Sequence, residues 1–130
     1  MTRTVTKKDL SILKRAKSFV HAGRGLVLFF KSTPNAWIHA SILTIVIIAG
    51  LYFSISKVEW MILILTSGMV LAAEAFNTAI EVDIDLTSPS YHPYARDTKD
   101  IAAGAVLITS VAALIIGLII FAPYVMAAVY

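Results

Sequence analysis

Glu74 is the residue whose chemistry most needs an explanation, because residues 60–80 around it are otherwise uncharged. An ionisable group inside an apolar helix costs about 3 kcal/mol or more in a bilayer and is a candidate functional group by default. At about 100° per residue, Glu74 shares one helix face with four other polar side chains, while Asp83 points the opposite way. If the helix lasts to residue 85, this stripe is formed by Glu74, Asn77, Thr78, Glu81 and Asp85.

A second polar group follows in the sequence. Pro89 and Pro93 interrupt the helix, and the next helix opens with four charged side chains before its apolar run, Arg96, Asp97, Lys99 and Asp100. Closely spaced carboxylates suit a hard cation such as Mg²⁺, and a lysine beside them suits a phosphate. Together these are the components of phosphoryl transfer, in which positioning and charge neutralisation dominate.

Other interpretations of the stripe stay open on the residues alone. Polar stripes also hydrogen-bond neighbouring helices within membrane bundles, and they occur in channels and transporters. The Gly-rich nucleotide-binding motifs of soluble proteins are absent from the chain.

The elements that position these groups are predicted to be membrane helices. The chain has 130 residues, of which 58% are hydrophobic and 15% charged. Such a composition excludes a soluble globular enzyme and a disordered chain, because a small globule cannot bury that much apolar surface. We expect one all-α domain, 1–130, with spans at about 36–53, 60–81 and 101–122. The absence of cysteine excludes disulfides and thiol chemistry.

Charge asymmetry sets the expected orientation. Eight of the eleven basic residues lie at or before Lys31, so the N-terminus is predicted to be cytoplasmic, with the 82–100 loop on the same side. Residues 8–31 have apolar side chains at spacings of three and four, which predicts a basic amphipathic helix lying in the membrane interface. Thr33-Pro34-Asn35 should end that helix, and the basic N-terminus does not have the pattern of a signal peptide.

The motifs resemble those of a known family. EAFNTAIE at 74–81, Asp85, Tyr91-His92 and KDIAAGAVL at 99–107 are similar to the prokaryotic diacylglycerol kinases, small three-span kinases that include undecaprenol kinases. The resemblance covers almost the whole chain. It implies a homotrimeric bundle in the bacterial inner membrane that phosphorylates a lipid hydroxyl with Mg²⁺ and ATP, with sites between subunits and without a nucleic-acid partner.

The resemblance also implies roles for individual residues. Glu74 would be the general base, Asn77 would position Glu74 and the transferring phosphate, and Glu81 would bind the metal ion. The remaining positions would surround the ATP phosphates and nucleotide, and they are Lys14, Asp85, His92, Lys99 and Asp100.

One departure from the family pattern concerns the metal. Family members usually have a second metal-binding glutamate in a segment like S-E-x-N, whereas this chain has Thr33 there. A hydroxyl is a much weaker Mg²⁺ ligand than a carboxylate, so a non-catalytic membrane oligomer of the same fold is the alternative hypothesis. The loop at 88–96 resembles the undecaprenol kinase branch more than the diacylglycerol branch, and undecaprenol is the favoured substrate.

Overall fold

The computed structural model describes residues 12–129, with side chains from residue 17 onward, and this part of the chain is entirely helical in its regular structure. Four helices follow one another in the order α1 (Ile12–Ser32), α2 (Pro34–Tyr52), α3 (Lys57–Thr87) and α4 (Pro93–Val129). The all-α prediction is therefore confirmed. The start of the predicted surface helix, residues 8–11, lies outside the described residues.

Helices α2, α3 and α4 are long and apolar enough to cross a membrane, which confirms the prediction of three spans. Large apolar side chains along them are mostly exposed, for example Ile45 at 65% and Leu114 at 63%. Exposed apolar surface of this extent is stable against lipid rather than water. The chain is a membrane protein.

Two of the spans are longer than the hydropathy pattern predicts. Helix α3 continues to Thr87, so the polar stripe does extend to Asp85. Helix α4 begins already at Pro93, where proline fits because the first helical residues donate no intrahelical hydrogen bond. It also continues through Pro123, a residue that membrane helices tolerate better than soluble ones.

Helix starts are set by capping groups. The Thr33 side chain accepts a hydrogen bond from the Asn35 amide at 3.2 Å and caps α2, with Pro34 as the first helical residue. At the start of α3, Ser56 and Glu59 form a reciprocal capping box. Thr33 alone separates α1 from α2, which confirms that the chain turns there.

The corner between α1 and α2 is fixed by aromatic contacts. Trp37 Nε1 donates a hydrogen bond to the Phe30 carbonyl at 2.9 Å, and the two rings meet edge to face at 5.6 Å. A polar group at a helix end is thereby satisfied by a side chain of the next helix.

Helices α3 and α4 are antiparallel and form the most extensive helix pair in the described chain. At one end the Tyr124 hydroxyl donates to Glu59 Oε2 at 2.8 Å, and at the other Lys99 pairs with Asp85. Near the Tyr124 end lies a buried cluster of Ile55, Leu63 and Ile120. These contacts fix the register of the two helices.

Gly50 is required where α2 meets α3. A Cβ added there would lie 2.8 Å from the Trp60 ring and 3.1 Å from the Ile55 side chain. We therefore expect Gly50→Ala to destabilise the protein by about 1–3 kcal/mol through overpacking, measured as thermal unfolding in detergent. Gly68→Ala is the control, because nothing lies within 4 Å of a Cβ there and alanine favours a helix. Equal midpoints for the two variants would contradict the packing shown here.

Candidate functional site

Glu74 is the most deeply buried large side chain of the described residues, with only 1% of its surface exposed. Asn77, one turn further along α3, is 7% exposed. Within the described chain, Glu74 Oε1 and Asn77 Oδ1 are both buried without a hydrogen-bond partner. Buried polar atoms are normally paired, so these two acceptors are candidates for contact with a bound group.

The predicted polar stripe is present as one connected face. The Thr78 hydroxyl donates to the Glu74 carbonyl at 2.9 Å, and Asn77 Nδ2 donates to Glu81 Oε1 at 3.0 Å. Glu81 is exposed, whereas Glu74 is enclosed. The stripe therefore leads from a carboxylate open to the surroundings to one held inside the bundle.

The second polar group lies where α3 ends and α4 begins. A cavity of about 240 Å³ opens between the end of α3 and the start of α4, and charged or ring-bearing side chains line it, including Asp85, Tyr91, His92, Arg96 and Lys99. Lys99 is about one-third exposed and forms an ion pair with Asp85. A cation at the rim of such a cavity can hold a phosphate as a point charge.

Of the described positions predicted to surround the nucleotide, Asp100 does not line this cavity. Asp100 is 74% exposed and lies 4.0 Å from the Arg96 guanidinium rather than lining the cavity. The side chain of Lys14 lies outside the described residues. Asp83 is exposed and is absent from the polar stripe, as the helical geometry predicts.

Comparison with known proteins decides the family. The family model for prokaryotic diacylglycerol kinase matches residues 20–121. The undecaprenol kinase of Bacillus subtilis is 45% identical over 107 residues, which cover 82% of this chain and 87% of the relative. The chain belongs to the prokaryotic diacylglycerol kinase family. It is a membrane lipid kinase, as the sequence resemblance predicts.

Two proteins named diacylglycerol kinase are also similar to this chain. The Synechocystis sp. protein is 40% identical over 101 residues, covering 77% of this chain and 58% of the relative. The Helicobacter pylori protein is 30% identical over 107 residues, covering 77% and 84% respectively. The two substrate names thus occur among relatives of the same chain.

Within the residues that the structure describes, the donor atoms of this lipid kinase do not form a complete metal site. In the part that the structure describes, no three acidic or histidine side chains are grouped so that they could hold an ion. Glu81 offers an exposed carboxylate, but Glu74 is two helical turns away, or about 10 Å along the axis. Thr33 uses its hydroxyl to cap α2. Among the described residues Glu81 could hold an ion together with ligands from elsewhere, such as phosphate oxygens.

A second, larger cavity is not predicted by the sequence. A cavity of about 560 Å³ lies among α2, α3 and α4, and nearly all its lining is apolar. Its polar members include His39 and Ser110, and the Ser110 hydroxyl oxygen is buried without a partner among the described residues. No sequence pattern singles out Ser110, because its relation to Glu74 depends on how α3 and α4 are aligned.

Burial of the Glu74 carboxyl group is expected to lower the stability of the folded protein. We expect Glu74→Gln to raise the free energy of unfolding by on the order of 1 kcal/mol, because it keeps the shape and removes an ionisable group from the bundle interior. Thermal unfolding in detergent measures the difference. Glu81→Gln is the matched control and should change the midpoint little, since Glu81 is exposed. A clear loss of stability in Glu74→Gln alone would show that the charge itself holds the fold.

Proposed function

We propose that this chain transfers the γ-phosphate of ATP to the hydroxyl of a membrane lipid alcohol, with undecaprenol as the favoured substrate and diacylglycerol as the other. The observation that carries the proposal is the buried Glu74, whose free oxygen lies at the inner end of a polar stripe. A general base must reach the proton it removes, and a carboxylate enclosed between lipid-facing helices can reach a lipid hydroxyl.

The proposed reaction is a direct transfer. The lipid hydroxyl oxygen forms a bond to the γ-phosphorus while the bond from that phosphorus to the β–γ bridging oxygen breaks. ADP leaves with that oxygen, and Glu74 accepts the hydroxyl proton. Asn77 is proposed to position Glu74 and the transferring phosphate, since its amide nitrogen donates to Glu81 and its carbonyl oxygen is buried without a partner in the described chain.

The nucleotide is assigned to the polar end of the bundle. Lys99 and His92 at the small cavity are proposed to contact the phosphates and the nucleoside, with Asp85 orienting Lys99 through their ion pair. From the sequence resemblance, Lys14 is retained as a proposed phosphate contact and Asp100 as a proposed neighbour of the nucleotide. Mg²⁺, held by Glu81, would neutralise charge on the phosphates during transfer.

The preference for undecaprenol rests on similarity. The relative from Bacillus subtilis is named undecaprenol kinase and covers most of both chains, while those named diacylglycerol kinase are less identical. The 88–96 loop supports the same branch. Both substrates present a hydroxyl at the end of a long apolar group, so the same chemistry serves either.

Assembly and orientation complete the proposal. We infer a homotrimer in the bacterial inner membrane, with the N-terminus and the 82–100 loop in the cytoplasm, where ATP is available. The incomplete metal site of a single chain supports a site shared between subunits. On α1, Val20 and Val27 are 70% and 54% exposed while Arg24 is exposed too, which suits a helix lying in the interface.

The first test is phosphate transfer from labelled ATP in mixed micelles, with undecaprenol and diacylglycerol in parallel. We expect Glu74→Gln and Glu81→Gln to lower turnover at least 10²-fold, because one loses the base and the other the metal ligand. Asp83→Asn is the control, since Asp83 lies off the polar stripe, and it should retain activity. Wild-type activity in both glutamine variants would refute the proposal.

Thr33 provides a separate test of the metal site. We expect Thr33→Asp to lower the Mg²⁺ concentration needed for half-maximal rate several-fold, because aspartate caps a helix as threonine does and adds a carboxylate. Thr33→Ser keeps the cap without the charge and should behave as wild type. Activity seen only in Thr33→Asp would favour the alternative of a kinase fold with a decayed metal site. No Mg²⁺ effect in any variant would place Thr33 away from the ion.

A further inference from the structure

Ser110 is a polar residue for which the proposed reaction has so far no use. It lies in the apolar run of α4, and its hydroxyl oxygen is buried without a hydrogen-bond partner in the described chain. A buried hydroxyl without a partner lowers the stability of a protein by about 1–3 kcal/mol. A ligand that bonds to this hydroxyl would remove that cost. Its side chain lines the large apolar cavity.

The helix register places Ser110 opposite Glu74. Lys99 pairs with Asp85, and Ser110 lies as many residues after Lys99 as Glu74 lies before Asp85. The Tyr124–Glu59 hydrogen bond at the other end gives the same alignment to within one residue. Since both helices rise by about 1.5 Å per residue, the two side chains lie at one level of the bundle.

The two residues also lie on facing sides of their helices. Ser110 shares its face of α4 with Lys99, which contacts α3, because the two positions are three turns apart. Glu74 is buried and lies one turn from Val70 and Leu71, which line the same cavity as Ser110. Glu74 thus lies one turn beyond the α3 lining of the cavity, at the level at which Ser110 lines it from α4.

The cavity itself fits a long apolar chain. Its α4 lining extends from Ser110 to Val125, about 22 Å along the helix, and its volume is about 560 Å³. Its lining is apolar except for four polar side chains, which are His39, Thr66, Ser67 and Ser110. The complementary ligand is a molecule with one hydroxyl at the end of a long hydrocarbon chain.

We propose that Ser110 holds the hydroxyl of the lipid substrate against Glu74, with the lipid chain lying in this cavity; this rests on the kinase function proposed above. The Ser110 hydroxyl donates a hydrogen bond to the substrate oxygen, which in turn donates its proton to Glu74 Oε1. One substrate group then satisfies both unpaired atoms. The remaining lone pair of the substrate oxygen is left for attack on phosphorus.

The matched experiment compares three variants of the full chain. Ser110→Ala removes the hydroxyl, Ser110→Thr retains one, and Ser67→Ala removes a hydroxyl from the same cavity two turns away from Glu74. Lipid phosphorylation is measured with undecaprenol in mixed micelles, at varied lipid and at varied ATP. We expect Ser110→Ala to lower kcat/KM for the lipid about tenfold, the size of one hydrogen bond, while KM for ATP is unchanged.

The outcomes separate the possibilities. Ser67→Ala should stay within about twofold of wild type, and Ser110→Thr should recover part of the loss. Equal activity of Ser110→Ala and wild type would overturn the role of Ser110, as would equal losses in both alanine variants. Absence of lipid phosphorylation in the wild-type protein would instead refute the proposed function itself.

A second variant tests the position of the chain. Gly117 lines the cavity about 10 Å from the level of Ser110, and a Cβ there meets nothing within 4 Å. Gly117→Leu should raise KM for undecaprenol at least tenfold, yet leave a prenol of two isoprene units nearly unaffected. Equal effects on both alcohols would overturn the placement of the chain. A changed oligomeric state without a change in KM would assign the cavity to a second copy of the chain.

Discussion

The pairing of α3 with α4 is the interaction on which the rest of the site depends. In a bilayer each helix satisfies its own backbone, so side chains alone decide how two helices align. Here a tyrosine–glutamate hydrogen bond fixes one end and a lysine–aspartate pair the other, with apolar packing between them. This alignment encloses Glu74, leaves Glu81 open and brings the charged start of α4 beside the end of α3.

The enclosed carboxylate explains why the site is both costly and useful. A group that water no longer solvates must be matched by a ligand or remain unpaired, and Glu74 and Asn77 each keep one acceptor unpaired in the described chain. The cost falls on stability, whereas under the proposed function the benefit is a general base beside the lipid hydroxyl. Sites of this kind commonly trade stability for function.

Much of the fold could be predicted because hydropathy and helical periodicity are local properties. Hydropathy predicts the three spans. Spacing within one helix predicts the stripe through Asp85 and the opposite direction of Asp83. The start of α4 at Pro93 and its passage through Pro123 depend on capping and on lipid surroundings, which hydropathy does not encode. Ser110 could not be recognised, because its level relative to Glu74 requires the register between two helices. The family resemblance marks Thr33 as the position where relatives have a metal-binding glutamate. Its role as the cap of α2 is seen only in the backbone geometry.

The single residue between α1 and α2 has a mechanical consequence. Only Thr33 interrupts the two helices, and Trp37 bonds back to Phe30 across the corner. A change in the tilt of α2 relative to the membrane therefore also changes the orientation of α1. A thinner bilayer, in which a spanning helix tilts more, and a thicker one, in which it tilts less, would thus set α1 at different angles to the membrane surface.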